Sequence, residues 1–249
     1  MWRLVFLFCA TVTNMQAPAP VDARALAIAG RIDNLYRSNS SYSEVEMEVV
    51  TPNWGRTLKM KIWTVGSEKT FIRVLEPKKE SGMGTLRVGS EMWNYFPRID
   101  KVMKIPPSMM MSSWMGSDFN NDDLVKEFTF LHDYSFRLVQ PEGSVPGITY
   151  LEARPKEAVP VVWSRIVAAV REQDLIPVWE KYYDDKNALI RTIIFSDVRK
   201  MGGRMLPAQL ELVPAKQPGH KTILRYKVID FDQVVDQKIM TLRNLQTWQ

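Results

Sequence analysis

Residues 43–50 read SEVEMEVV, and Val45, Met47 and Val49 alternate there with Glu44, Glu46 and Glu48. A helix would scatter these side chains around its axis. A strand sends successive side chains to opposite faces, so the run requires a sheet with one dry face and one wet face. Similar runs recur at 58–62, 71–75, 86–88, 92–96, 101–105, 134–138, 148–153, 163–170, 176–183, 188–195, 206–212 and 221–229. Turn residues such as Gly66-Ser67, Ser81-Gly82 and Asp184-Asp185-Lys186-Asn187 separate them. Nothing helical stands between most of them, which predicts an antiparallel meander. About eleven long strands do not lie flat, so the expected fold is mainly β, an unclosed antiparallel barrel.

Helical spacing appears in two places. Over 22–39, Leu26, Ile28, Ala29, Ile32, Leu35 and Tyr36 recur at three and four residues, with Asp22 as N-cap. A second helix is expected near Asp122, capped by Asn120 or Asn121 with Asp122 and Asp123 in its first turn. These few helices would cover the open side of the barrel.

The first residues have the pattern of an export leader. Met1-Trp2-Arg3 gives a short positive start, residues 4–12 form an apolar run too short to span a bilayer, and small residues follow. Cleavage is expected near residue 17 or 23, leaving a single domain over 24–249. Cys9, the one cysteine, falls inside the leader, with Phe8 where a lipoprotein signal needs a small residue. This pattern predicts an exported protein that does not depend on redox compartment. The net charge of +5 comes from scattered Lys and Arg without a basic stripe, so no nucleic-acid partner is expected.

Catalytic patterns are sparse. The chain has two histidines, His132 and His220, and no H-E-x-x-H or G-x-S-x-G. Gly82-Met83-Gly84 lacks the third glycine and following helix of a dinucleotide site and reads as a turn. Asp118, Asn120 and Asp122 have the spacing of the first calcium ligands of an EF-hand, but Asp123 and Thr129 stand where Gly and Glu are needed. No enzyme activity, cofactor or metal is therefore expected.

One segment does not fit a strand or helix period. Residues 104–124, KIPPSMMMSSWMGSDFNNDDL, carry Met109, Met110, Met111, Trp114 and Met115 between two prolines and an Asn/Asp run. Thioethers can bind Cu(I), yet no His or Cys lies near these methionines in sequence. Methionine is flexible and polarizable and suits surfaces that accept variable apolar partners. The segment reads either as a mobile cover over an apolar cavity, with Gly116 as a candidate hinge, or as part of the protein's own core.

The stretch MWNYFPRIDKVMKIPPSMMMSSWMGSDFNNDDLV, residues 92–125, resembles the signature of outer-membrane lipoprotein-sorting-like proteins, the LolA/LolB-like superfamily. Trp93, Tyr95, Pro97, Ile105, the Met run, Trp114, Gly116, Ser117, Asp118, Phe119, Asp122, Asp123 and Leu124 carry the likeness. A looser likeness runs over 175–212, with Gly202-Gly203 and Leu206-Pro207 near its end. The resemblance implies an unclosed barrel of about eleven strands with helices as a lid. It also implies a periplasmic carrier that holds the acyl chains of a lipid or lipidated protein in an apolar cavity, moving them towards the outer membrane with an inner- or outer-membrane transport partner. The residues expected to line that cavity and its lid are Met47, Met60, Phe71, Trp93, Phe96, Met103, Met109, Met110, Met111, Trp114 and Met115. An accessory protein that docks on an envelope transporter without cargo is the alternative; it predicts an exposed apolar patch rather than an enclosed groove.

Overall fold

The computed structural model describes residues 22–126, 130–157, 159 and 161–247; the leader region through residue 21 lies outside them. Thirteen strands form one antiparallel sheet: β1 (Ser40–Val50), β2 (Gly55–Val65), β3 (Lys69–Glu76), β4 (Gly84–Val88), β5 (Glu91–Phe96), β6 (Lys101–Lys104), β7 (Tyr134–Val139), β8 (Ile148–Pro155), β9 (Arg165–Arg171), β10 (Pro177–Tyr183), β11 (Leu189–Met201), β12 (Arg204–Pro214) and β13 (Lys221–Phe231). Their order is β6-β5-β4-β3-β2-β1-β13-β12-β11-β10-β9-β8-β7. The sheet is an unclosed barrel, with two more strands than the expected eleven because several short runs also pair. Two meanders join where β1 meets β13, and β6 and β7 are left as the two free edges.

Cross-strand partners share a face, so the register traces each face across the sheet. One line runs Leu58–Met47–Leu224–Leu210–Phe195. On the same face Leu212 leads through Ile193, Glu180, Ala168 and Leu151 to Leu138. This inner face is covered at one end by α1 (Ala23–Asp33), whose Ala25, Ile28 and Ala29 pack on Leu151, Ala168 and Val170. At the other end it is covered by the segment linking β6 to β7.

Asp22 caps α1 as expected, accepting a hydrogen bond from the Ala25 amide at 3.0 Å. The helix ends at Asp33, not residue 39. Leu35 leaves the helical path to pack with Leu206 and Ile229, and Tyr36 stacks on Tyr226 with ring centroids 5.0 Å apart. Tertiary packing outweighs the continuing helical period there.

The outer face differs between its halves. Beside β1, Glu46 and Glu48 pair with Arg225 in a solvated charge ladder. Beyond β2 the outer face is apolar and covered. Phe71, Leu86 and Tyr95 pack there with Met240 and Leu245 from the C-terminal segment, which ends in α4 (Leu242–Thr247). Buried Arg73 donates to the carbonyls of Gly82, Asn244 and Leu245, tying α4 to the sheet. Burial lowers the pKa of its guanidinium to about 10, still well above neutrality. Gly84 opens β4 at a close approach of α4, where a Cβ would meet Leu245 Cδ1 at 2.8 Å. Gly84→Ala should therefore cost about 1–3 kcal/mol in urea unfolding and raise amide exchange over residues 242–247; unchanged exchange there would contradict this packing account.

Candidate functional site

The chain passes from β6 at one edge to β7 at the other through residues 105–133, and the described ones, 105–126 and 130–133, form a strap over the inner face. Its first half is a compact loop. The Trp114 amide donates to the Phe119 carbonyl at 2.8 Å, and the Asn121 and Asp122 amides donate back to the carbonyls of Ser112 and Met110. Helix α2 (Asn121–Lys126) opens with a reciprocal cap: the Asp123 amide donates to Asn120 Oδ1 at 2.8 Å, and the Asn120 amide donates to Asp123 Oδ2 at 2.9 Å. Helix α3 (Phe130–Asp133) then leads into β7.

The strap is anchored step by step across the sheet. Trp114 Nε1 donates to Thr85 Oγ1 of β4 at 3.1 Å. The Met115 carbonyl accepts from Arg56 of β2, whose guanidinium also donates to Glu80. Asp118 exchanges two hydrogen bonds with the Thr222 hydroxyl of β13, at 2.9 and 2.6 Å. Asp123 takes both terminal nitrogens of Arg191 of β11, at 2.7 and 2.6 Å. Phe130 finally packs with the residues of β7–β9. Successive strap residues thus reach successively more distant strands.

The Arg191 anchor is the most enclosed. Its guanidinium carbon lies 4.4 Å from the Trp163 ring centroid and 4.5 Å from that of Tyr182. Burial works to lower its pKa, and the adjoining Asp123 carboxylate more than offsets this, so the group stays charged. Tyr182 in turn donates to Glu180 at 2.6 Å.

Between the anchors the strap is apolar. Trp114 is buried, and with Met110, Met115 and Leu124 it packs against Val45, Met47, Leu58, Met60, Ile72 and Met92. Met115 and Gly116 both have left-handed backbone, φ 48° and 67°. A Cβ on Gly116 would lie 3.0 Å from the Arg56 guanidinium, so close packing as well as backbone freedom requires glycine here.

The expected lining residues divide into four groups. Met47, Met60, Met110, Trp114 and Met115 come together in one cluster. Met103 stands on the inner register line through Thr85 and Asn94 but is 40% exposed, and Met109 and Met111 are 45% and 52% exposed. Phe96, on the same side of β5 as Met92, is half-buried at the strand end. Phe71 and Trp93 correct the sequence expectation, because they lie on the outer line Trp63–Phe71–Leu86–Trp93 beneath the C-terminal segment. The central residues of β3 are buried on both faces, so bulk alone does not mark the inner side.

The anchors Thr85, Arg56, Thr222 and Arg191 do not stand out as a set in the sequence. Arg191 carried one signal: it shares a strand face with apolar Ile193 and Phe195. Asp118 and Asn120 of the rejected calcium pattern are engaged in hydrogen bonds to Thr222 and within the cap of α2, the latter shared with Asp123.

A family model described as "Uncharacterized protein" matches residues 66–247, most of the chain. The chain belongs to that family, and its fold is LolA-like. Three solved structures share this fold. A DUF1329 family protein from Desulfovibrio piger is 25% identical, with a TM-score of 0.77 and coverage of 89% of this chain and 98% of that one. A domain described as outer membrane lipoprotein-sorting, from Vibrio parahaemolyticus, is 18% identical, with a TM-score of 0.76 and coverage of 90% and 99%. A LolA superfamily protein from Nitrosomonas europaea is 20% identical, with a TM-score of 0.73 and coverage of 88% and 98%. Comparison with curated proteins finds no significant match.

Replacing Asp123 by Asn leaves Arg191 charged and enclosed without its counter-ion. The expected loss of stability is about 3–5 kcal/mol, with faster amide exchange over residues 105–124. Slow exchange in that segment after the substitution would show that Asp123 is not a strap anchor.

Proposed function

We propose that this protein is a carrier that takes an acyl chain of a lipid or lipidated protein onto the inner face of the sheet, beneath the strap. The observation that carries the reading is the way the strap is held: an apolar underside rests on an apolar face, and separate side-chain anchors fasten it. Breaking those anchors does not disrupt the ladder of the sheet. Each anchor contributes on the order of 1 kcal/mol, and up to about 3 for the charged ones. An acyl chain contributes about 0.8 kcal/mol per buried CH₂, so a ~14-carbon chain supplies roughly 10 kcal/mol. That is enough to compete with the anchors, provided the methionines repack around the chain. Met110 and Met115 suit this because their side chains are flexible and polarizable. Binding and release of this kind need no chemical step.

The leader pattern supports a periplasmic location. Among the described residues, no helix is long and apolar enough to cross a membrane. Of the two cleavage positions, the one near residue 17 keeps Asp22, which caps α1 and also accepts from the Leu138 amide at 3.3 Å. N-terminal sequencing of exported protein should find the chain starting near residue 18; a start at residue 24 would remove that cap. The second reading, docking on an envelope transporter, is supported by the exposed Met103, Met109 and Met111. It predicts co-purification with a membrane protein and no bound lipid.

A strap that can be locked separates these readings. Asp118→Cys and Thr222→Cys, in a Cys9→Ser background, replace a contact of 2.6 Å with a reversible crosslink. The oxidised protein should bind a fluorescent 14-carbon fatty acid at least about tenfold more weakly than the reduced protein. Equal affinity in both states, or no binding in either, would overturn the carrier reading.

A further inference from the structure

A second site lies on the outer face, away from the strap. A hollow of about 430 Å³ opens between the β7–β8 loop (residues 140–147) and the outer side of β8–β10. Its floor and walls include Tyr150, Glu152, Arg165, Trp179, Lys181 and Tyr183. The register places these side chains opposite the inner line, since Ile166 and Tyr182 point to the other face. The loop is held over the hollow by the Val145 amide, which donates to the Tyr150 hydroxyl at 3.1 Å.

The charges there are unevenly matched. Glu152 is buried and is held by Arg137 at 2.6 Å and Arg154 at 2.9 Å, with Arg165 at 3.8 Å from its second oxygen. Burial raises the Glu152 pKa, and the hydrogen bonds from Arg154 and Arg137 outweigh it, so the carboxyl titrates below its ordinary value. Arg137 and Arg154, outside the lining, neutralise Glu152, so within the lining Arg165 and Lys181 face Glu142 as the remaining carboxylate. Arg165 rests on the Tyr183 ring at 3.9 Å, and its buried Nε has no hydrogen-bond partner. Lys181 lies 4.5 Å from the Trp179 ring centroid and has no hydrogen bond or ion pair among the described residues. Two cations with spare donors therefore converge on a hollow walled by three aromatic rings.

We propose that this hollow binds a phosphate group carried on an organic body. Arg165 supplies a planar fork of donors and Lys181 a compact charge, the combination that suits a tetrahedral oxyanion. Trp179, Tyr150 and Tyr183 supply apolar surface for the attached body. The phosphate can belong to a lipid headgroup or to a soluble ester. The site does not depend on the inner face, so its failure leaves the carrier reading untouched.

The test compares vesicles of phosphatidylglycerol and phosphatidylcholine, vesicles of phosphatidylcholine alone, and glycerol 1-phosphate followed by NMR. Lys181→Gln removes no hydrogen bond or ion pair among the described residues, so the variant should fold. Lys181→Gln and Arg165→Gln should each weaken binding about fivefold. Lys227→Gln, in the charge ladder beside β1, should leave it unchanged. Binding confined to phosphatidylglycerol vesicles assigns the site to a lipid headgroup, whereas binding of glycerol 1-phosphate with the same dependence assigns it to a soluble ester. Binding that ignores both substitutions, or no binding to any of the three probes, would overturn the proposal.

Discussion

Strands β6 and β7 are consecutive in the chain and stand at opposite edges of the sheet. The chain must therefore travel the full width of the barrel between them, and it does so over the inner face. This one crossing fixes the rest of the arrangement. It gives the open side a cover that the barrel does not otherwise provide, and it places the methionine-rich run against the apolar side of β1–β5. It also explains why β1 and β13, from opposite ends of the sequence, pair at the centre of the sheet.

The cover is attached differently from the strands. Strands are held by continuous ladders, in which losing one bond loosens its neighbours. The strap is held at intervals by Thr85, Arg56, Thr222 and Arg191. Arg191 is the strongest of these because its partner is a carboxylate and its faces are closed by Trp163 and Tyr182. A charge enclosed in this way is costly to leave unpaired, which fixes the strap in one register. The proposed carrier role requires this apolar underside with its polar fasteners to lift as a unit and settle again in the same place.

Much of this was legible from periodicity. The run Glu44–Val49 announces a half-wet strand, and the structure places its apolar set on the inner face and its glutamates outside. Asp22 and the Asn/Asp run mark the helix starts, because capping is a local interaction between residues close in sequence. The choice of face was not legible at Phe71 and Trp93. Both sides of β3 are buried, one by the strap and one by α4, so alternation carries no contrast there. The anchors were hidden for another reason: Asp118 and Thr222 are 104 residues apart, and Asp123 and Arg191 are 68 apart. Pairing over such distances follows from topology, which no local pattern encodes.

The central claim is that the inner face beneath the strap receives an acyl chain. Photocrosslinking with a diazirine-bearing fatty acid, mapped by peptide mass spectrometry, tests it most directly. The account predicts adducts on the inner-face and strap residues Met47, Met60, Met110 and Trp114. Adducts confined to the outer face, around Phe71 and Trp93 or at the exposed Met109 and Met111, would contradict it.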